Sequence, residues 1–395
     1  MVLASISKEE KMNIGISRDI FLADFFEKRI LFVKGALLEH KVEWRDVDNA
    51  LFSWEANDGL IQLHKNGLIP VNEYTENIKD LGTDCSLISK AIFYDYLKEG
   101  ATLVLNRLDT KLLSIHYLTL EIAKFVGEKA VANGYIAFGG GGTFGKHWDT
   151  HDVFAVQLIG RKRWKVYGPG FQLPLSHQKS KLYKNECPAE PTFDEILEQG
   201  DVLYIPRGWW HEAIPLQEEE TMHVAVGIHT LKVTDYLKWL CNHIAETNLD
   251  LRRTLKFESD GRESISDILA TFENALADPS VYRAFKGAQA EQERLKSEFH
   301  LENISNSDKS DFESKSKFYI NSVFKRFPES ASNVKINGIS MNLDAKSCSV
   351  LNEILASDGR VIDQSSSKYN AVEDNDIRAL IDGLHQYDVI AKRSY

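Results

Sequence analysis

At 395 residues, with 43% hydrophobic and 27% charged residues, the chain has the composition of a soluble globular protein of more than one domain. Its net charge of −11 suits a basic partner and argues against direct nucleic-acid binding, because binding to phosphates requires a basic surface. No run approaches the roughly 20 apolar residues that span a bilayer, and the four cysteines are well separated, so we expect a cytoplasmic protein with reduced thiols.

The first part of the chain, residues 16–130, mixes short strands and helices. ILFVKG (30–35) and TLVLN (102–106) are predicted strands, and the apolar spacing in 112–129 predicts a helix. From residue 134 to about 229, short strands alternate with glycine-rich turns and have no helices between them. That pattern predicts an antiparallel barrel or jelly roll.

The remaining chain is predicted to be helical at first. An apolar stripe on its helical stretch (233–300) is expected to face the core or another subunit, and it comprises Ile265, Ile268, Leu269, Phe272 and Leu276. The polar stretch 301–317 is a predicted linker. A hairpin turning at Asn337-Gly338, helices near 345–356 and 374–385, and a strand in DVIAKR then fit a winged-helix-like domain.

The segment GKHWDTHD (145–152) contains a His-x-Asp pair. Such His-x-acid pairs occur twice in the chain, which is what chance predicts, so the pair alone decides nothing. In a strand, however, His147 and Asp149 would project from the same face. His211 follows the predicted strand 202–205 and a Pro-Arg-Gly turn, and would complete the facial triad of two histidines and one carboxylate that binds non-haem Fe(II).

The triad has alternatives among the histidines. His211 taken in isolation is expected to be a core histidine beside two tryptophans. Four others in the same region could substitute for it as ligands, although we expect a structural role for each: His151, His177, His223 and His229.

A lysine in the predicted barrel also indicates a functional site. Alternation in RKRWKVY (161–167) places Lys162 with Trp164 and Val166 on the more apolar, inward face. A lysine inside a barrel requires an anion, because an unpaired buried charge is costly, and a dicarboxylic cosubstrate would supply one. The alternative is a lysine at a hairpin mouth that extends to water.

Several motifs in this order resemble the JmjC-type ribosomal oxygenase family: Asn133-Gly-Tyr135, His147-Trp-Asp149, VFAVQLIGRKRW (153–164) and GDVLYIPRGWWHEA (200–213). FLADFFEKRILFVKGAL (21–37) is similar to the N-terminal signature of that family. These are Fe(II)- and 2-oxoglutarate-dependent protein hydroxylases. The resemblance implies an α+β homodimer with a double-stranded β-helix (cupin) oxygenase domain in 1–232, a helical dimerisation domain in 233–308 and a winged-helix-like domain in 309–395.

The resemblance also implies roles for six residues. His147, Asp149 and His211 would bind the iron. Lys162 would hold the distal carboxylate of 2-oxoglutarate, and Asn133 and Tyr135 would line its pocket.

The chain departs from the family pattern at three places near the pocket. Gly227 stands where eukaryotic members often have serine, His151 replaces an apolar or acidic residue, and the pair Trp209-Trp210 is bulkier than usual. These departures put the substrate in doubt rather than the cofactor chemistry.

The expected reaction is hydroxylation of an unactivated C–H bond with Fe(II), 2-oxoglutarate and O2, on a ribosomal or other basic protein. Trp209 and Trp210 could instead close the pocket around a small metabolite or a peptide natural product. A non-catalytic scaffold has no use for an open iron site. A DNA-binding regulator is disfavoured because the predicted last helix is acidic.

Overall fold

A computed structural model describes residues 12–37, 42–56, 58–140, 142–254, 262–299, 301, 317–323, 333–356 and 375–393. Its chain divides into two compact units, Met1–Thr230 and Leu231–Tyr395. The predicted boundaries at 232/233 and 308/309 stay predictions. Within the described residues, no helix is both long and apolar enough to cross a membrane.

The first unit contains four helices and thirteen strands among its described residues. The helices are α1 (Arg18–Asp24), α2 (Trp44–Phe52), α3 (Lys90–Lys98) and α4 (Leu113–Val126). The strands are β1 (Leu31–Val33), β2 (Ile61–His64), β3 (Leu68–Ile69), β4 (Thr75–Asp80), β5 (Thr83–Ile88), β6 (Thr102–Leu105), β7 (Lys129–Phe138), β8 (Asp152–Gly160), β9 (Lys162–Pro169), β10 (Phe193–Leu197), β11 (Val202–Ile205), β12 (Trp209–Pro215) and β13 (Glu220–His229).

These strands form two main antiparallel sheets. An eight-stranded sheet has the order β1-β11-β8-β13-β7-β6-β2-β3, and a three-stranded sheet has the order β10-β9-β12. Buried residues of both sheets share one core cluster, in which Ala155 and Leu203 of the large sheet meet Trp164 and Val166 of the small one. The predicted jelly-roll barrel is therefore confirmed, including the strands near 30–35 and 102–106.

The helices of the first unit cover the large sheet. Phe21 of α1 is fully buried, with its ring edge-on to Tyr204 of β11 at a centroid distance of 4.9 Å. The helix predicted in 112–129 is α4, which ends at Gly127 in the left-handed region with φ 86°. Burial of the apolar face of α4 against the sheet stabilises the outside of the barrel and leaves its inside free for a site.

The second unit contains five helices and four strands among its described residues. They are α5 (Val233–Ala245), α6 (Arg262–Ala277), α7 (Pro279–Glu291), β14 (Lys317–Ile320), β15 (Asn333–Ile336), β16 (Ile339–Asn342), α8 (Ala345–Ala356), α9 (Asn375–Gln386) and β17 (Ile390–Arg393). The hairpin β15–β16 turns at Asn337 and Gly338, with φ 47° and 73°, as its Asn-Gly sequence predicts. Most of the predicted linker 301–317 lies outside the described residues.

The predicted apolar stripe lies on α6 and is not buried by the described part of the chain. Leu269 and Leu276 are 61% and 50% exposed. Ile268 and Phe272 are half-buried, and the side chain of Ile265 lies outside the described residues. The described residues therefore do not bury the stripe completely, and its contact with another subunit stays a prediction.

A glycine turn between β11 and β12 places the start of β12 beside the His-x-Asp segment. Gly208 has φ 79°, and its N–H donates to the carbonyl of Asp149 at 2.9 Å. A Cβ at this position would lie 1.7 Å from the carbonyl oxygen of Phe171. Both the backbone conformation and the space therefore require glycine.

We predict that Gly208→Ala lowers the free energy of unfolding by at least about 3 kcal/mol, because it adds a backbone clash to the cost of a left-handed residue. Gly59→Ala is the matched control, since Gly59 has φ 73° and nothing within 4 Å of its Cβ position. The control should cost only about 1–2 kcal/mol. Chemical denaturation measures both, and equal losses would contradict the clash.

Candidate metal centre

The two histidines of the predicted triad are joined by a backbone bridge. The N–H of His147 donates to the carbonyl of His211 at 3.0 Å, and the N–H of His211 donates to the carbonyl of His147 at 2.8 Å. His211 belongs to β12, whereas His147 lies outside the named strands, so the His-x-Asp segment is joined to β12 by an isolated antiparallel bridge without being part of a strand. The bridge brings the two rings to a centroid distance of 4.4 Å.

Both imidazoles are oriented by backbone carbonyls. Nδ1 of His147 lies 2.9 Å from the carbonyl oxygen of Gly145, and Nδ1 of His211 lies 2.9 Å from that of Trp209. These bonds assign the proton to Nδ1 and leave Nε2 free as a metal ligand, which is the usual arrangement for ligating histidines. Nε2 of His211 lies 3.6 Å from Oδ2 of Asp149.

The three residues together offer one compact set of ligand atoms. One atom from each of His147, Asp149 and His211 lies within 4.8 Å of the other two. Among the described residues, this is the group of histidine, cysteine and carboxylate side chains that could hold a metal ion. His151, His177, His223 and His229 are not part of it, so the geometry favours His211 over the alternatives.

The electrostatics of the group favour the protonation states that a metal requires. Burial, together with the neighbouring His147, lowers the pKa of His211 to about 4. Burial alone would raise the pKa of Asp149, but the imidazoles of His147 and His211 outweigh it and lower this pKa. Near neutral pH, His211 is therefore neutral and Asp149 is ionised, and these are the forms that coordinate divalent metals.

Lys162 points into the barrel, as the strand alternation predicts. It is 3% exposed, and Trp164 and Val166 on the same face are also buried. In the described part of the chain, no carboxylate lies within ion-pair distance of its ammonium group, and burial lowers its pKa to about 7. The hairpin-mouth alternative is therefore wrong, because the lysine is buried and does not extend to water.

His223, for which the sequence analysis expected a structural role, lies beside this lysine. Nδ1 of His223 is 3.4 Å from Nζ of Lys162, and burial, together with the lysine, lowers the pKa of His223 well below its usual value. The ring of Tyr135 stacks on His223 with centroids 4.9 Å apart and an angle of 7°. One signal in the sequence could have identified His223. It precedes Ala225 by two residues and Gly227 by four, so strand alternation places all three on the inward face of β13.

The two remaining predicted residues lie on β7 next to the lysine pocket. The Tyr135 hydroxyl is hydrogen-bonded to the side chain of Asn133, and burial, with Asp149 nearby, raises its pKa to about 12. Oδ1 of Asn133 also accepts from the N–H of Arg107 at 3.0 Å. Tyr135 therefore stacks on His223 and also interacts electrostatically with Asp149. It links the surroundings of Lys162 to the triad.

The paired tryptophans lie in two different clusters of the barrel. Trp210 is fully buried and packs with Trp148 and Tyr167, because it points to the opposite side of β12 from His211. Tyr167, which the alternation placed outward, is buried by this cluster. Trp209 packs at the edge of the core between the two sheets.

The comparisons with known proteins agree with this fold and site. Residues 114–236 match the JmjC domain family. Ribosomal oxygenase 1 of Gallus gallus is 29% identical over 181 residues, which cover 45% of this chain and 30% of that protein. The bifunctional lysine-specific demethylase and histidyl-hydroxylase NO66 of Drosophila mojavensis is 27% identical over 183 residues, covering 45% and 21%. The matched region thus spans less than a third of these curated relatives.

Solved structures extend the likeness to almost the whole chain. The ribosomal oxygenase YcfD of Escherichia coli, solved in complex with cobalt and 2-oxoglutarate, has a TM-score of 0.56 and 16% identity, covering 97% of this chain and 100% of that one. At this identity the likeness shows the fold. Residues 114–236 therefore match a JmjC domain, and the barrel that contains them has the double-stranded β-helix fold. Within that class, the predicted resemblance to the ribosomal oxygenases is confirmed.

The buried lysine predicts an unusual dependence of stability on pH. In the unfolded chain Lys162 keeps its proton up to its ordinary pKa of 10.5, whereas in the folded protein it loses the proton above about 7. The unfolded state therefore binds more protons in this window, and stability falls as the pH falls from about 10.5 to about 7. Lys162→Met should remove this loss and stabilise the ligand-free protein at pH 7 by about 1–4 kcal/mol.

Denaturation of the metal-free protein across this pH range measures the effect. Lys165→Met, on the half-buried opposite face of β9, is the control and should show no such gain. If Lys162→Met is destabilising, or if its effect does not change with pH, the lysine is not held as an unpaired buried amine.

Proposed function

We propose that the chain is an Fe(II)- and 2-oxoglutarate-dependent oxygenase that hydroxylates a side chain of a ribosomal or other basic protein. The proposal rests on one observation. The interior of the barrel holds both a facial triad of ligand atoms and a buried lysine that has no carboxylate partner among the described residues. A metal-binding site without a cosubstrate has no need for Lys162. An anion site without a metal has no need for the triad.

The donor set fits iron of the non-haem oxygenase type. His147, Asp149 and His211 supply two neutral imidazole nitrogens and one carboxylate oxygen, which leave further coordination positions open. His147 and Asp149 are only half-buried, so the open side of the site is reachable. When bound, Fe(II) with 2-oxoglutarate and O2 supplies the oxidising chemistry that no side chain of the protein can supply.

The residues of the lysine pocket orient the cosubstrate. Lys162 holds the distal carboxylate of 2-oxoglutarate through a charge-assisted hydrogen bond, and binding of the anion stabilises its protonated form. Asn133 and Tyr135 line the pocket, and His223 stacks on Tyr135 and limits the movement of the lysine. Exclusion of water from this pocket strengthens the hydrogen bonds to the carboxylate.

Three features support a basic protein as the substrate. The chain has a net charge of −11, which steers encounters with basic partners. Trp210 packs away from the triad, so it does not close the pocket around a small molecule. By name, the relatives of this chain include a ribosomal oxygenase and a bifunctional lysine-specific demethylase and histidyl-hydroxylase, both of which are named for protein substrates.

Features of the second unit support the proposal that the enzyme acts as a homodimer. Leu269 and Leu276 on α6 are exposed and suit an interface with a second copy, and the elements after α7 are proposed to form a winged-helix-like domain. We place the enzyme in the cytoplasm, where it would act without direct nucleic-acid contact.

The metal assignment predicts that the protein with Fe(II) slowly converts 2-oxoglutarate to succinate even without substrate. Asp149→Ala should abolish this turnover and weaken Fe(II) binding, since two imidazoles alone neither balance the charge nor fix the geometry. His177→Ala, a change at an exposed histidine, is the control and should behave as wild type. Full turnover in Asp149→Ala or His211→Ala would overturn the triad.

The substrate assignment predicts that purified ribosomal proteins and basic peptides stimulate 2-oxoglutarate turnover. The stimulation should weaken as salt rises from about 0.01 M to 0.15 M, because screening shortens the reach of surface charges. Mass spectrometry should then find one added oxygen atom on a side chain of the stimulating protein. Tight binding of a metabolite, with no stimulation by any basic protein, would assign the enzyme to small-molecule hydroxylation instead.

A further inference from the structure

Two departures from the family pattern meet in space. A Cβ built on Gly227 would lie 3.1 Å from Cε1, 3.2 Å from Nδ1 and 3.3 Å from Nε2 of His151. These nearly equal distances mean that the imidazole lies flat against Gly227. The φ of Gly227 is outside the left-handed region, so its backbone would accept other residues. Glycine is needed here for the space that the ring of His151 occupies.

His151 lies at the triad. It follows Asp149 by two residues, and it interacts electrostatically with both Asp149 and His211. Its Nδ1 is buried and has no hydrogen-bond partner among the described residues. Most buried polar atoms in folded proteins have a hydrogen-bond partner, and a polar ligand beside the candidate metal centre would supply one for this atom.

His151 and Lys162 lie beside different residues of β13. On β13, His223 contacts Lys162 and Gly227 contacts His151, and these positions are four residues apart, or about 13 Å along a strand. The two histidines therefore cannot hold the same carboxylate. A dicarboxylate whose far end is held by Lys162 presents its other end to the triad and to His151.

We propose that His151 binds the carboxylate of 2-oxoglutarate nearest the metal, and that Gly227 is glycine because a side chain there would displace this imidazole. The proposal rests on the function proposed above. Under this proposal, His151 and Gly227 changed together. The imidazole of His151, from the segment before β8, supplies the polar group beside the triad that a side chain on β13 would otherwise supply.

The test is calorimetric titration of 2-oxoglutarate into the cobalt-loaded protein, which needs no turnover. His151→Phe keeps a flat ring against Gly227 and removes the hydrogen bond, so it should weaken 2-oxoglutarate binding about ten- to a hundredfold, the loss expected for a hydrogen bond to a charged group. Its cobalt affinity and thermal unfolding should match wild type. His177→Ala is again the control.

Gly227 is tested by a double-mutant cycle, which measures the coupling between neighbouring residues. Gly227→Ser should weaken 2-oxoglutarate binding in the wild type, because the new side chain displaces the imidazole. In His151→Ala the same change should be neutral or improve binding, because the space is empty and the hydroxyl can take the place of the imidazole. This reversal does not depend on whether any single variant loses some stability.

Two results would overturn the inference. One is wild-type affinity for 2-oxoglutarate in His151→Phe, since the ring would then serve only packing. The other is an equal loss from Gly227→Ser with and without His151, since the glycine would then be needed for another reason. If the wild-type protein fails to bind cobalt and 2-oxoglutarate, whichever of the two is added first, the proposed function itself is wrong.

Discussion

The candidate site depends on one reciprocal pair of backbone hydrogen bonds between His147 and His211. These bonds fasten an irregular segment to the first residues of β12, and they set the two imidazoles side by side. Gly208 adds a third bond to the same segment at Asp149. The ligand geometry is thus held by the backbone, and the side chains need only the carbonyls of Gly145 and Trp209 to orient them. A metal would complete a site whose parts are already in position.

The interior of the barrel combines this candidate metal centre with a group that destabilises the fold. A buried lysine without a carboxylate costs free energy, and the protein tolerates this cost at Lys162. If a dicarboxylate binds there as proposed, it removes this cost, and part of its binding energy then comes from relief of an unfavourable buried amine. Strain of this kind concentrates at functional sites, because selection there acts on binding as well as on stability.

Local patterns in the sequence were sufficient to predict the barrel and to predict that the side chain of Lys162 points into it. Alternation of apolar residues determines which face of β9 is buried, and it failed at Tyr167 because an aromatic cluster covers part of the outer face. The contact between His147 and His211 joins residues far apart in the chain, and no local pattern predicts it. The same limit applies to His223 and to the fit of His151 on Gly227, which depend on how β13 pairs with its neighbours.

The central claim is that the triad and Lys162 are the two ends of one ligand site. A crystal structure of the protein with cobalt and 2-oxoglutarate, grown without oxygen, tests it most directly. We expect the metal on Nε2 of both triad histidines and on Asp149, with the distal carboxylate of the same 2-oxoglutarate molecule bound to Nζ of Lys162. A metal bound elsewhere, or a cosubstrate whose distal carboxylate does not reach Lys162, would contradict the account.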